Sequence, residues 1–160
     1  MSSATSPPVR LQDLPEDQIR PLLLASEAEG FRFVRRVVSE WKAGINTFSG
    51  GSDALLGTYV SGQLVGICGL MVDPYTMDPA VGRLRNLYVL PEYRSQGIGA
   101  SLTRSVIALA APAYESLRLR AGTPQAARLY ERLGFTPTPG VPDCTHVYSF
   151  ERSNFRANPA

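Results

Sequence analysis

The 160-residue sequence has one histidine, His146, and two cysteines, Cys68 and Cys144. A single histidine argues against a histidine-based metal site, and no metal is expected. Two cysteines are too few for a disulfide framework, which fits a reducing, cytoplasmic setting. Cys68 lies in the apolar run Val65-Gly66-Ile67-Cys68-Gly69-Leu70 and is expected to be a small core residue. No apolar run approaches about 20 residues, so no membrane-spanning helix and no membrane partner are expected. The stretch from Met1 to Pro8 lacks the charged and apolar regions of a signal peptide. A strong charge of one sign is missing as well: the net value is +2, which argues against dedicated nucleic-acid binding. Lysine is nearly absent. Of the 16 basic residues all but Lys42 are arginine, the residue suited to planar, bidentate contacts with phosphate or carboxylate.

What is present suits one globular domain, which at this length buries about 68–70% of its unfolded surface. Residues 1–9 are expected to be disordered, 10–152 to form the domain and 153–160 a loose tail. Pro15 to Leu24 suggests a short helix. Phe31, Val34, Val38 and Trp41 recur at helical spacing, so 28–43 should be an amphipathic helix with an aromatic core stripe. The intervening Ala25 to Gly30 reads as a loop. Ala54–Val60 and Gln63–Val72 read as paired strands around a Ser61-Gly62 turn. A third strand, Gly82–Val89, follows the break at Asp73–Pro79, and Ile98, Leu102, Val106 and Leu109 mark a helix. Ser116–Arg120 alternates like a strand. Thr123 is a suitable N-cap for a helix over 124–133, with Pro124 at its first position and Gly134 at its end. Thr145–Phe150 reads as a last strand. The order α-α-β-β-β-α-β-α-β describes an α/β domain around a mixed sheet, with short strands near 9–13 and 136–138 as possible additions.

The chemistry concentrates in Leu87-Tyr88-Val89-Leu90-Pro91-Glu92-Tyr93-Arg94-Ser95-Gln96-Gly97-Ile98-Gly99-Ala100. A buried strand, a basic turn and Gly-x-Gly opening into a helix aim unpaired N–H groups and the positive helix end at one point. A phosphate can dock there, and the two glycines let the backbone approach it. This is not a P-loop, because Ala100 and Ser101 follow where Lys and Ser/Thr are needed. Nor is it a dinucleotide fingerprint, because Leu102 occupies the third glycine position.

Arg94-Ser95-Gln96-Gly97-Ile98-Gly99 resembles the Arg/Gln-x-x-Gly-x-Gly/Ala signature of the GNAT superfamily of N-acetyltransferases. Ala126-Ala127-Arg128-Leu129-Tyr130-Glu131-Arg132-Leu133-Gly134-Phe135 is similar to that family's Ala-x-x-Leu-Tyr-x-x-Leu-Gly-Phe segment. The resemblance implies a single α/β domain whose mixed central sheet is flanked by helices, with two central parallel strands, 82–89 and 116–121, splaying apart around acetyl-CoA. It implies backbone contacts to pantetheine at Leu87, Tyr88 and Val89, and a pyrophosphate cradle of Arg94, Ser95, Gln96, Gly97, Ile98, Gly99 and Ala100. Thr123 and Gln125 stand near a position where the family often has an asparagine on CoA. Tyr130 falls on the family's tyrosine position, whose usual role is protonating the departing thiolate; the alternative is a packing aromatic, since Ala126, Leu129, Tyr130 and Leu133 share an inner helical face. The implied reaction is acetyl transfer from acetyl-CoA to a primary amine, small molecule or peptide, by direct attack. The alternatives are a protein acceptor or a catalytically silent CoA-binding domain. Many family members pair, so a homodimer is a further possibility.

The sequence departs from the family pattern where many relatives carry a glutamate base on the strand before the phosphate loop. Here Arg85 and Asn86 stand instead. Simple alternation puts Arg83, Arg85, Leu87 and Val89 on one face, with Leu84, Asn86 and Tyr88 on the other. Arg85 either faces the acceptor cleft, favouring a carboxylate or phosphate near the amine, or is an ordinary surface or salt-bridged arginine. A base, if needed, must then come from elsewhere or act through water; Glu27, Glu29, Asp73 and Asp78 are candidates near the acceptor by loop position only, and solvated surface charge is the better reading of each. Cys144 and His146, two apart on a strand, suit structural or pocket-lining roles better than a nucleophile pair, and His146 could relay a proton.

Overall fold

The computed structural model describes residues 4–150. In chain order the elements are β1 (Val9–Arg10), α1 (Glu16–Ala28), α2 (Phe33–Lys42), β2 (Ala54–Val60), β3 (Gln63–Val72), β4 (Val81–Val89), a 3₁₀ turn (Pro91–Tyr93), α3 (Ile98–Ala110), β5 (Ser116–Leu119), α4 (Pro124–Arg132), β6 (Thr136–Pro137) and β7 (His146–Ser149). The strands form one seven-stranded sheet in the order β1-β2-β3-β4-β5-β7-β6. All neighbours are antiparallel except β4 and β5. The β2–β3 hairpin turns at Ser61 and Gly62, with φ of 50° and 84°, the pair of left-handed residues that matches strand twist.

Helices cover both faces. On β3, Gly66 faces α3 so closely that a Cβ there would lie 3.1 Å from Leu102 Cδ1. Gly69 faces the other way, against Phe48, which follows α2. Ile98, Leu102, Val106 and Ala110 are the buried stripe of α3, and Val34, Val37 and Val38 that of α2. Cys68 is fully buried between them, as expected.

Three expectations need correction. The loop placed at Ala25–Gly30 is mostly helix, because α1 runs on to Ala28. Gly30, at φ 88°, ends that turn, so α2 starts only at Phe33. Phe31 and Trp41 are consequently half-buried, and valines form the deep stripe. The N-terminal segment expected to be disordered is paired from Thr5 onward. Thr5 bridges Val60, and the Ser6 N–H donates to the Tyr59 carbonyl at 2.7 Å. Residues 1–3 and the expected tail at 153–160 lie outside the described residues.

Candidate active site

The site begins where two parallel strands part. β4 and β5 pair at Val81/Ser116, Gly82/Leu117 and Arg83/Arg118 and no further. β5 instead stays with β7, and the Leu119 carbonyl accepts from the Thr145 N–H at 2.8 Å. β4 continues to Val89 with no strand on that side, among the described residues. Backbone polar groups exposed this way need a partner, and an extended ligand can supply one.

The strand is also irregular. Ile67 opposes Tyr88 and Gly69 opposes Arg85, so β4 carries one residue more than β3 in between. The extra residue sits at Asn86, whose φ is 63°. Such a bulge bends the strand and reverses the alternation beyond it. The expected faces are therefore corrected: Tyr88 joins Arg83 and Arg85 on the side of α2, and Val89, opposite Gly66, faces α3. Tyr88 accordingly packs edge-on against Phe31 and Phe33, with centroids 6.4 and 6.0 Å away.

At the end of β4 the chain turns into α3. Gly97 is its N-cap, at φ 85°, and no side chain caps the helix. A Cβ at Gly97 would meet nothing within 4 Å, so glycine is there for its conformation and the space in front is open. A Cβ at Gly99 would find Leu129 Cδ2 at 3.5 Å, an ordinary contact. Ser95 is left-handed too, with φ 62°. The N–H groups of the first turn, Ile98 to Ala100, thus face an uncapped, accessible position with a positive helix end behind it.

Arg94 is already engaged. Its Nε donates to the Val89 carbonyl at 2.9 Å. Its Nη1 and Nη2 donate to the two oxygens of Glu29, at 2.8 and 2.7 Å. The Tyr88 hydroxyl donates to the same carboxylate at 2.6 Å. The Arg94 bond holds the Glu29 carboxyl below its ordinary range, so Glu29 stays ionised. Burial first, and then the hydrogen bond to Glu29, push the Tyr88 phenol up. Glu29, a candidate for the acceptor side, is here engaged by Arg94 and Tyr88 and ties α1 to the turn after β4. Glu27 is paired with Arg35 on the surface. The hydroxyl of Thr123 caps α4 by accepting from the Ala126 N–H at 3.1 Å, and Gln125 is exposed beside it.

Tyr130 is buried, with its ring edge-on to Phe135 at 5.6 Å. Burial pushes its phenol well up, so it stays neutral across the physiological range. Among the described residues its hydroxyl has no hydrogen-bond partner, yet only Thr58 Oγ1 is both sealed from solvent and unpartnered. The Tyr130 hydroxyl therefore keeps access to the space around it. His146 tethers this helix. Its Nε2 lies 2.8 Å from Glu131 Oε2 and its Nδ1 2.8 Å from Thr145 Oγ1. The Cys144 thiol bonds the His146 carbonyl and not its ring, so the two do not form a nucleophile pair.

On the α2 side, Asp73 is fully buried and bridges Arg83 and Arg118, each at 3.2 Å. It is therefore the centre of an ion-pair cluster, and its candidacy as a base is corrected. Asp78 closes a surface turn by accepting from the Ala80 N–H. Arg85, by contrast, has no carboxylate at ion-pair distance among the described residues. It donates to Met71 Sδ at 3.4 Å and lines a narrow recess with Arg36, Glu40, Asn46, Phe48 and Asn86. Burial, then the Arg83 charge, lowers its pKa. Arg85 is thus half-buried and makes no ion pair among the described residues. Arg36, Glu40 and the bulge at Asn86 were missed from sequence; an asparagine inside a strand, tolerant of positive φ, was the available signal for the bulge. Among the described residues, no group of three or more His, Cys, Asp and Glu side chains could hold a metal, and no helix is long and apolar enough to cross a membrane.

Residues 52–137 match the family model described as the acetyltransferase (GNAT) domain. A Bacillus subtilis (strain 168) protein described as an alanine N-acetyltransferase of ribosomal protein bS18 is 34% identical over 79 residues, which are 48% of this chain and 49% of that one. The chain thus spans about half the length of that curated relative. A crystal structure described as an acetyltransferase from Exiguobacterium sp. 255-15 superposes with a TM-score of 0.79 at 29% identity, covering 93% of this chain and 94% of the other. The PaiA N-acetyltransferase of Thermoplasma acidophilum, solved with coenzyme A, shares the fold at a TM-score of 0.61 and 15% identity, over 94% of this chain and all of that one.

Proposed function

We propose that this chain, which belongs to the GNAT acetyltransferase family, transfers an acetyl group from acetyl-CoA directly to an amine. The observation that carries the reading is the parting of β4 from β5 at Arg83/Arg118, just ahead of the uncapped start of α3. Pantetheine fits along the unpaired edge of β4, against Leu87, Tyr88 and Val89. The diphosphate fits the N–H groups of the turn and first helical turn, Ser95 to Ala100. Arg94 anchors this turn through Glu29 and Val89, and keeps two unused N–H donors for the phosphates. Thr123 and Gln125 border the same opening from α4.

The amine nitrogen attacks the thioester carbon and forms the new C–N bond. A backbone N–H of β4 polarises the carbonyl oxygen, the C–S bond breaks, and the thiolate takes the Tyr130 phenolic proton. Holding donor and acceptor together supplies much of the rate, with effective molarities that can reach about 10⁵ M. No glutamate stands at Arg85, so the amine loses its proton through water or to Glu40, the one carboxylate lining the recess. Both cysteines are free, which suits the cytoplasm.

Release of free CoA thiol from acetyl-CoA, measured across small amines and N-terminal peptides, tests the reading. Amine-dependent release is expected. Tight CoA binding without release for any amine would leave a silent CoA-binding domain.

A further inference from the structure

Beyond the identity of the donor, the structure bears on the acceptor. Four arginines lie on or against the α2 face of the sheet: Arg83, Arg118, Arg85 and Arg36. Two carboxylates answer them. Asp73 is consumed by Arg83 and Arg118. Glu40 shares the recess with Arg85 and Arg36, and is not within ion-pair distance of either. Among the described residues, Arg85 and Arg36 are both left without an anion; Arg36 is exposed, whereas Arg85 is a half-buried guanidinium whose one hydrogen bond goes to a thioether. Taking a guanidinium out of water without a counter-charge is costly, and the cost is recovered when an anion arrives. Its planar fork suits a carboxylate or a phosphate, bound through two parallel N–H···O bonds. Asn86 and Asn46 line the same recess and add amide donors. The bulge matters as well, because it ends the run of residues facing α2 at Arg85 and puts the next one, Tyr88, beyond an irregular step.

We infer that Arg85, with Arg36 and Asn86, forms a recognition site for an anionic group on the acceptor, so that the substrate is an amine that also carries a carboxylate or phosphate. The inference rests on the acetyltransferase reading for the amine half of that substrate, and stands separately for the anion half. The recess is narrow, so the anion would meet Arg85 at its mouth, and Glu40 on the same rim supplies the charge that suits a positive amine; a zwitterion therefore matches the charges better than a dianion. A polyamine does not fit, because Arg85 repels it.

Two measurements test the site. In the first, the Arg85 Nε–H signal, identified by its loss in Arg85→Gln, is followed by NMR as β-alanine or aminoethyl phosphate, each an anion that also carries an amine, is added to the full chain. A saturable shift is expected, and the anion that saturates at the lower concentration identifies the preferred group. No shift with either anion overturns the proposal, whatever the enzyme's activity. In the second, kcat/KM is compared for amino acids against their carboxamides, and for aminoalkyl phosphates against the parent amino alcohols. Wild type should favour one acid series by about tenfold or more, the scale of a hydrogen bond to a charged group. Arg85→Gln should collapse that ratio and Arg85→Lys restore part of it, while Arg20→Gln, on the exposed face of α1, should leave it unchanged. Equal use of acid and amide by wild type overturns the proposal. An NMR shift without acetyl transfer to any amine would instead retain the anion site and remove the acetyltransferase reading.

Discussion

Arg85 and Arg94 stand on one strand and the turn that follows it, and their surroundings differ. Arg94 directs three nitrogens at protein acceptors, two of them on one carboxylate, and its ring-facing side rests over Tyr88 with Cζ 5.3 Å from the centroid. Arg85 is given a sulfur atom. The proposed donor end is thus built from backbone groups and a closed ion pair that hold its shape without a ligand. The proposed acceptor end keeps an unanswered charge. A complete site is sensitive to backbone geometry, whereas an incomplete one is tuned by side chains. That difference accounts for a phosphate turn that reads as a family motif beside a recess that does not.

The largest test falls between the two ends. If Tyr130 supplies the thiolate proton, Tyr130→Phe should lower kcat by about 10²–10⁴-fold, the usual range for positioned acid catalysis. CoA affinity should hold, since the ring still packs on Phe135. An unchanged kcat would take the chemistry away from the donor half. Next in size is Asp73→Ala, which leaves Arg83 and Arg118 buried without their anion. Breaking a buried pair in this way costs about 3–5 kcal/mol, readable as a shift in the denaturation midpoint. A loss below about 1 kcal/mol would mean that an unpaired arginine is cheap on this face, and the contrast drawn from Arg85 would lose its physical basis. Smaller again is Gly97→Ala. The new Cβ meets nothing, but the left-handed backbone costs about 1–2 kcal/mol, which should appear in CoA affinity or stability. Gly99→Ala, at an ordinary φ and with ordinary contacts, should cost less.

Much of the structure around the proposed donor half was legible because its signals are local. The hairpin, the Gly-x-Gly turn, the Thr123 cap and the Tyr130 segment each depend on neighbours within a few residues. The ends of the first two helices were misplaced, because a half-buried aromatic at Phe31 scores like a core residue when only periodicity is counted. The faces of β4 were misread for a different reason: period-two alternation holds only while register holds, and Asn86 breaks it. The pairings Glu29–Arg94 and Asp73–Arg83–Arg118 join distant parts of the chain. No spacing rule reaches that far, and the same carboxylates read equally well as solvated charges. Arg85 was recognisable as a departure from the family pattern, but its lack of a carboxylate partner is a property of the assembled sheet alone.

Glu29→Gln carries the smallest expected effect and bears most directly on the two arginines. The Glu29–Arg94 pair is 31% and 41% exposed, so solvent screens it and its contribution is modest, about 0–1 kcal/mol. The folded-state pKa of Glu29 lies below 4.5. Its pairing therefore contributes fully above that value and is lost as pH falls below it, when the carboxylate protonates. Wild type should accordingly lose CoA affinity below about pH 4.5 relative to Glu29→Gln, and the two titrations should converge at the acid end. At neutral pH the variant keeps an acceptor for the Tyr88 hydroxyl and removes the charge that aims Arg94. If Arg94 is an anchor of the turn, CoA binding should weaken by a few-fold at most, since the backbone cradle at Gly97–Ala100 remains. If the variant binds CoA more tightly, Glu29 has been withholding Arg94 from the diphosphate. Arg94 would then resemble Arg85 as a charge reserved for a ligand, and the two ends of the cleft would differ only in whether a protein carboxylate occupies the arginine while it waits.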